Sequence, residues 1–168
     1  MDKMPIIALL LHSFPESVII VSLGIALLAE KISLPRVIII GLLSAVICFF
    51  IREIPLPYGF HTVSGVLILT ILIYSIHRIR FKVAFAAAMI AITSLITSQL
   101  IITSLTLYVT GLTVSEVLKN SFLRVIIPIP ELLFLAMVTY IVIKYRLTLI
   151  KKKPYHDKFY FLEENANG

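Results

Sequence analysis

Five apolar stretches, bounded by basic or other polar residues, divide this chain, and their lengths leave few folds open. A helix needs about 20 mostly apolar residues to cross a bilayer. In hydrocarbon only helices and closed barrels satisfy their own backbone polar groups. The first stretch runs from 14 to about 29 and ends at Glu30-Lys31. The second covers 37–51, between Arg36 and Arg52. The third covers about 60–76 and ends in His77-Arg78-Ile79-Arg80. The fourth runs from 81 to about 109, with Gly111 as its terminator. The fifth runs from 130 to about 147, ahead of Lys151-Lys152-Lys153. Two shorter apolar pieces, 4–11 and 122–127, are too short to cross and read as interfacial or re-entrant segments. The expected fold is therefore all-α: a polytopic membrane bundle of five transmembrane helices plus two short re-entrant or interfacial helices.

Composition supports the same class. Of 168 residues, 60% are hydrophobic and 14% charged, and mean hydropathy is +1.05. A soluble domain runs at about 45–50% apolar and roughly 25% charged, and one this small has too much surface to cover with so few charges. An ordinary cytosolic enzyme, a disordered tail and a nucleic-acid-binding domain are excluded on that ground. The single cysteine, Cys48, rules out an intrachain disulfide or a cysteine metal cluster and reads as a small buried hydrophobe. The amino-terminal apolar run lacks a clear positive flank and is interrupted by His12, Pro15 and Glu16, so it is expected to be retained rather than cleaved. Residues 1–150 read as one transmembrane helical domain, and 151–168 as a basic then acidic cytoplasmic tail expected to be flexible.

The formal charge of +6 follows a topology pattern. Lys31, Arg36, Arg78, Arg80, Lys82, Lys144, Arg146 and the tail lysines fall on one side of a five-span chain. The other side receives Lys3, Arg52, Lys119 and Arg124. The positive-inside rule then puts the carboxyl terminus in the cytoplasm and the amino terminus outside a plasma membrane. The outer connection Thr113-Val114-Ser115-Glu116 fits a capping box, with Thr113 as N-cap and Glu116 at N3, opening a short surface helix over about 114–119.

No zinc-protease, phosphate-loop, nucleophile-elbow or paired-cysteine motif is present, and the four histidines have no ligand spacing. The chain reads as non-enzymatic, with no metal and no cofactor. Ionisable residues at membrane depth are then the first functional candidates. Glu16 and Glu131 follow Pro15 and Pro130 at the starts of the first and last spans, a likeness that fits either a parallel repeat or ordinary helix-start chemistry. Arg124 is placed to pair with either carboxylate. His61, which opens the third span, reads either as a functional candidate or as an ordinary interfacial side chain. The fourth span is rich in hydroxyls, with Thr93, Thr97 and Ser104 near one face and Gln99, Thr103 and Thr106 near another. Such residues pack membrane helices or line a polar cavity. Gln99 is the most demanding of them, because an amide in lipid needs partners. The candidate ligand site is Glu16, His61, Gln99, Arg124 and Glu131.

The run Arg52-Glu53-Ile54-Pro55-Leu56-Pro57-Tyr58-Gly59-Phe60-His61-Thr62, with Pro15-Glu16 and Pro130-Glu131, resembles one known group over about residues 4–147. These are the membrane sensor regions of Gram-positive histidine kinases of the peptide-quorum-sensing type, and stand-alone membrane proteins similar to them. The resemblance implies a bacterial plasma-membrane protein in signalling. Those receptors continue into a kinase domain that these 168 residues do not contain. The implied role is thus a signal-binding or regulatory subunit working through a protein partner such as a kinase or another membrane protein. Besides the lipid bilayer, the expected ligand is a peptide or an apolar small molecule, and nucleic acid is not a partner. A small transporter, or the substrate-binding subunit of one, is the other class that broken helices and a hydroxyl-lined span fit.

Overall fold

A computed structural model of the chain describes residues 12–28, 31–53, 60–120 and 122–149, with backbone alone at 52, 53, 118, 119 and 124. The short piece 4–11, the proline-rich connection 54–59 and the tail 151–168 lie outside the described residues. Within them every regular element is helical. These are α1 (Phe14–Leu27), α2 (Leu34–Glu53), α3 (Phe60–Leu72), α4 (Phe81–Ser98), α5 (Ser104–Thr110), α6 (Val114–Lys119), α7 (Leu123–Ile126) and α8 (Ile129–Lys144). Two π-helical turns extend this set. Ile73–His77 continues α3, and Gln99–Thr103 joins α4 to α5. Leu34–Ile51, Phe60–His77 and the 30-residue Phe81–Thr110 are long and apolar enough to cross a membrane, whereas Phe14–Leu27 is apolar but shorter.

The bundle is organised around α1. Every residue from Ile20 to Ala26 is buried, as expected for a helix that is apolar on all sides. It packs against α2, α4 and α8. Close approach is possible because both contacts use small residues. Ala84, Ala87, Ala88 and Ala91 form a fully buried stripe on α4, and Gly24 of α1 lies against it. A Cβ at Gly24 would strike the carbonyl oxygen of Ala87, and one at Gly41 of α2 would strike the Val18 side chain and come within 3.0 Å of its amide nitrogen. With little hydrophobic drive between helices in lipid, such backbone approach is a main source of packing energy. The outward faces are as apolar as the core: Phe50, Ile71, Leu100 and Tyr140 are all exposed. A soluble protein rarely shows apolar surface on this scale, and membrane or partner contact is its usual meaning.

One end of the bundle is tied by polar contacts. Nε2 of the buried His77 donates to the Lys31 carbonyl at 2.9 Å, and Arg36 Nη1 donates to the His77 carbonyl at 3.4 Å. The Leu149 amide donates to the Leu27 carbonyl at 2.7 Å. These bonds bring together the carboxyl ends of α1, α3 and α8 with the start of α2. Arg78 ends the π-turn in the left-handed region, at φ 58°.

The capping box forms as the sequence predicts. The Thr113 amide donates to Glu116 Oε2 at 2.7 Å, and the Glu116 amide donates to Thr113 Oγ1 at 3.4 Å. The short apolar piece 122–127 contains the single turn α7.

Two outcomes follow from these contacts. Gly24→Ala drives a methyl into backbone that cannot swing away, so it should cost about 1–3 kcal/mol by thermal unfolding. Gly65→Ala, whose new Cβ would meet only Ile92 Cδ1 at 3.7 Å, should be tolerated. The second outcome concerns pH. Hydrogen bonds from the Thr113 backbone and side chain hold the Glu116 carboxyl below its ordinary value. A carboxyl lowered on folding contributes stability above its unfolded value and loses it as pH falls through the folded one. Amide exchange in α6 should therefore accelerate, beyond its intrinsic pH trend, on acidification through the carboxylate range. Glu116→Gln should remove that dependence.

Candidate functional site

The chemistry gathers at the end of the bundle opposite His77. Pro15 and Pro130 each stand second in a helix, α1 and α8. There a missing N–H is harmless and the fixed φ suits a helix start. Each proline is followed by a first-turn glutamate, which the positive helix end favours. Both glutamates are buried, Glu16 at 7% exposure and Glu131 at 2%.

Both carboxylates turn toward the same feature, the π-turn Gln99–Thr103. Gln99 Nε2 donates to Glu16 Oε1 at 3.5 Å. Thr103 Oγ1 donates to Glu131 Oε2 at 2.9 Å. Gln99 and Thr103 thus sit at the two ends of the widened turn and hold α1 and α8 to the helix that runs through α4 and α5. A π-turn inserts one extra residue, and at about 100° per residue this rotates everything after it. Ser104 lines a cleft with Gln99 and Thr103.

His12 completes the group, with Nδ1 3.4 Å from Glu16 Oε2 one helical turn away. Among the described residues Glu131 Oε1, Ser13 Oγ and Ser98 Oγ are buried at this end without a hydrogen-bond partner, as are Thr139 Oγ1 and His77 Nδ1 elsewhere in the bundle. A native fold pairs most buried polar atoms, so each of these calls for an explanation.

Two clefts open beside these groups. One, of about 180 Å³, lies among α1, α2, α3 and α4 and is lined by Glu16, Ser17, Ser44, His61 and Gln99 on a floor of Leu69 and Ile92. The other, of about 340 Å³, is lined by His12, Gln99, Thr103, Ser104 and Glu131 with Ile96, Leu100 and Pro128 as apolar wall. Gln99 belongs to both.

Of the five residues expected at the site, Glu16, His61 and Gln99 share the first cleft, while Glu131 shares the second with Gln99. His61 is exposed at the mouth. The side chain of Arg124 lies outside the described residues, so its pairing with either glutamate stays an expectation. Cys48 is only half-buried, because it borders the first cleft. Sequence reasoning did not assign His12 or Thr103 to the site. The signals were present: His12 and Glu16 stand at i,i+4, as do Gln99 and Thr103. No group of three or more His, Cys, Asp and Glu among the described residues is arranged to hold a metal.

No family model matches the chain, and neither a curated protein nor a solved structure matches it. The reading of the site therefore rests on its geometry.

The Thr103–Glu131 bond gives a direct test. Thr103→Val leaves a buried carboxylate with no donor among the described residues and should cost about 1–3 kcal/mol in thermal unfolding. Thr103→Ser should retain most of the stability. Pairing Thr103→Val with Glu131→Leu, which removes both partners, should recover most of the loss.

Proposed function

We propose that this chain is a non-enzymatic, multi-pass plasma-membrane protein of bacterial signalling that binds a ligand in its outer half and passes the signal to a protein partner. Five spans are read for it: α1, α2, α3 with its π-turn, the Phe81–Thr110 helix, and α8. The carboxyl terminus is cytoplasmic and the amino terminus outside, because eleven of the 15 Lys and Arg residues then face inward.

The observation that carries the proposal is the attachment of two buried carboxylates, from two different helices, to one π-turn between two clefts. Gln99 stands 18 residues beyond Phe81. By helical rise that is about 27 Å, close to the outer edge of a hydrocarbon layer about 30 Å thick. Ionisable groups at such depth are costly and generally functional. A ligand that engages either carboxylate alters the strength of the bonds holding α1 and α8 to the fourth span. It therefore biases helix packing, and α1 extends from that site to the inner end tied by His77. Recognition of a peptide or apolar small molecule suits clefts with apolar walls and a few convergent polar groups.

A transporter is the second reading. It is favoured by one observation: two helices with Pro-Glu starts flank an interrupted helix, the arrangement of parallel repeats around a discontinuous span.

Native mass spectrometry of protein extracted gently from its own membrane tests the first reading. A retained small molecule or peptide is expected, lost in Glu16→Gln and Glu131→Gln, and co-purification of a cytoplasmic effector would identify the output. Accumulation of a substrate in liposomes by the isolated chain would instead select the transporter. Orientation has its own check in a Cys48→Ser background. An impermeant maleimide should label Ser115→Cys in intact cells and Asn167→Cys only after permeabilisation.

A further inference from the structure

The outer site has a surplus of hydrogen-bond acceptors. Glu131 is 2% exposed and takes one bond, from Thr103 to Oε2 at 2.9 Å. Its Oε1 is buried with no partner among the described residues. The two oxygens of Glu16 have contacts at 3.5 Å to Gln99 and 3.4 Å to His12. A charge-assisted bond to a carboxylate runs at about 2.7–2.9 Å, so both contacts leave acceptor capacity. Glu16, His12 and Glu131 are also close enough to interact electrostatically. What this site calls for is positive charge that carries several donors.

The cleft beside Glu131 specifies the rest. It measures about 340 Å³, with Ile96, Leu100 and Pro128 opposite the polar groups. A primary ammonium has three donors, one positive charge and no acceptor. A quaternary ammonium has no N–H and is recognised by cages of Trp, Tyr and Phe, and none of these is among the described residues lining this cleft. A hard metal ion takes six or so oxygens, and no such cluster exists among the described residues.

We infer that this cleft binds a primary alkylammonium group, the nitrogen against the Glu131 carboxylate and the alkyl chain along Ile96 and Leu100. The inference rests on the ligand-site reading above and names its ligand class. Engagement by the ammonium completes a carboxylate that Thr103 satisfies only in part, so binding and the α8 contact to the π-turn reinforce each other.

The test uses the full chain in phosphatidylcholine nanodiscs and radiolabelled n-butylamine in equilibrium dialysis at constant ionic strength and neutral pH. Saturable binding is expected. Sodium chloride, tetramethylammonium chloride and n-butanol should fail to displace the label. Glu131→Gln should weaken binding at least about tenfold, the effect of one lost hydrogen bond to a charged group, with Glu131→Asp intermediate. The competition profile needs no variant and stands even if Glu131→Gln misfolds. Equal displacement by sodium or tetramethylammonium, or unchanged binding in a folded Glu131→Gln, would overturn the inference. So would binding that appears only in Arg124→Gln, since the chain's own guanidinium would then fill the position. Displacement by n-butanol would overturn the ammonium while leaving the ligand site intact. Absence of binding by any probe, together with no ligand in native mass spectra, would remove both.

Discussion

The fold depends on a helix that is surrounded. Because α1 is buried along Ile20–Ala26, this stretch has no outward face to which a polar side chain could escape. Its contacts are set by backbone approach, Gly24 to Ala87 and Gly41 to Val18, and such contacts are stiff. A carboxylate placed at the start of this helix is therefore held within the bundle, and its neighbours must supply the polar partners. Glu16 cannot snorkel, as a lysine at a helix end would.

The π-turn is the answer to that demand. A regular α-helix through 99–103 keeps its carbonyls and side chains on a fixed 3.6-residue pitch. Widening one turn lets Gln99 and Thr103 each meet a different carboxylate, on α1 and on α8. The cost is a local loss of optimal backbone bonding, of the kind seen at functional sites. At the opposite end a second π-turn, closing on His77, joins the α1–α2 connection to α3. Local helix distortions thus occur where long-range polar contacts must be made, and the straight segments between them carry the small-residue packing.

Much of this was legible in the chain. The apolar runs located every long helix, with ends displaced by only a few residues at Leu27, His77 and Lys144. Thr113 and Glu116 announced their capping box because both partners lie within four residues. Glu16, Gln99 and Glu131 stood out as polar groups in apolar surroundings. What was not legible is how they combine. Gln99 and Glu16 are 83 residues apart, and nothing in periodicity chooses which helices adjoin. The π-turn has no sequence signature of its own, so nothing in the chain marks 99–103 as a widened turn. His12 was passed over because its partner is one turn away inside a segment read for its apolar character.

By itself the sequence determined the helical class, the lengths and order of the apolar helices, the charge asymmetry of their connections and the presence of two Pro-Glu helix starts. These are properties of hydropathy and local backbone chemistry, which act over one or two turns. Only the tertiary structure decided that α1 is central, that both carboxylates converge on one widened turn, and that Glu131 has an oxygen without a partner among the described residues. Those outcomes depend on which helices can approach within backbone contact. That is a matter of shape complementarity between distant segments, and no local pattern encodes it.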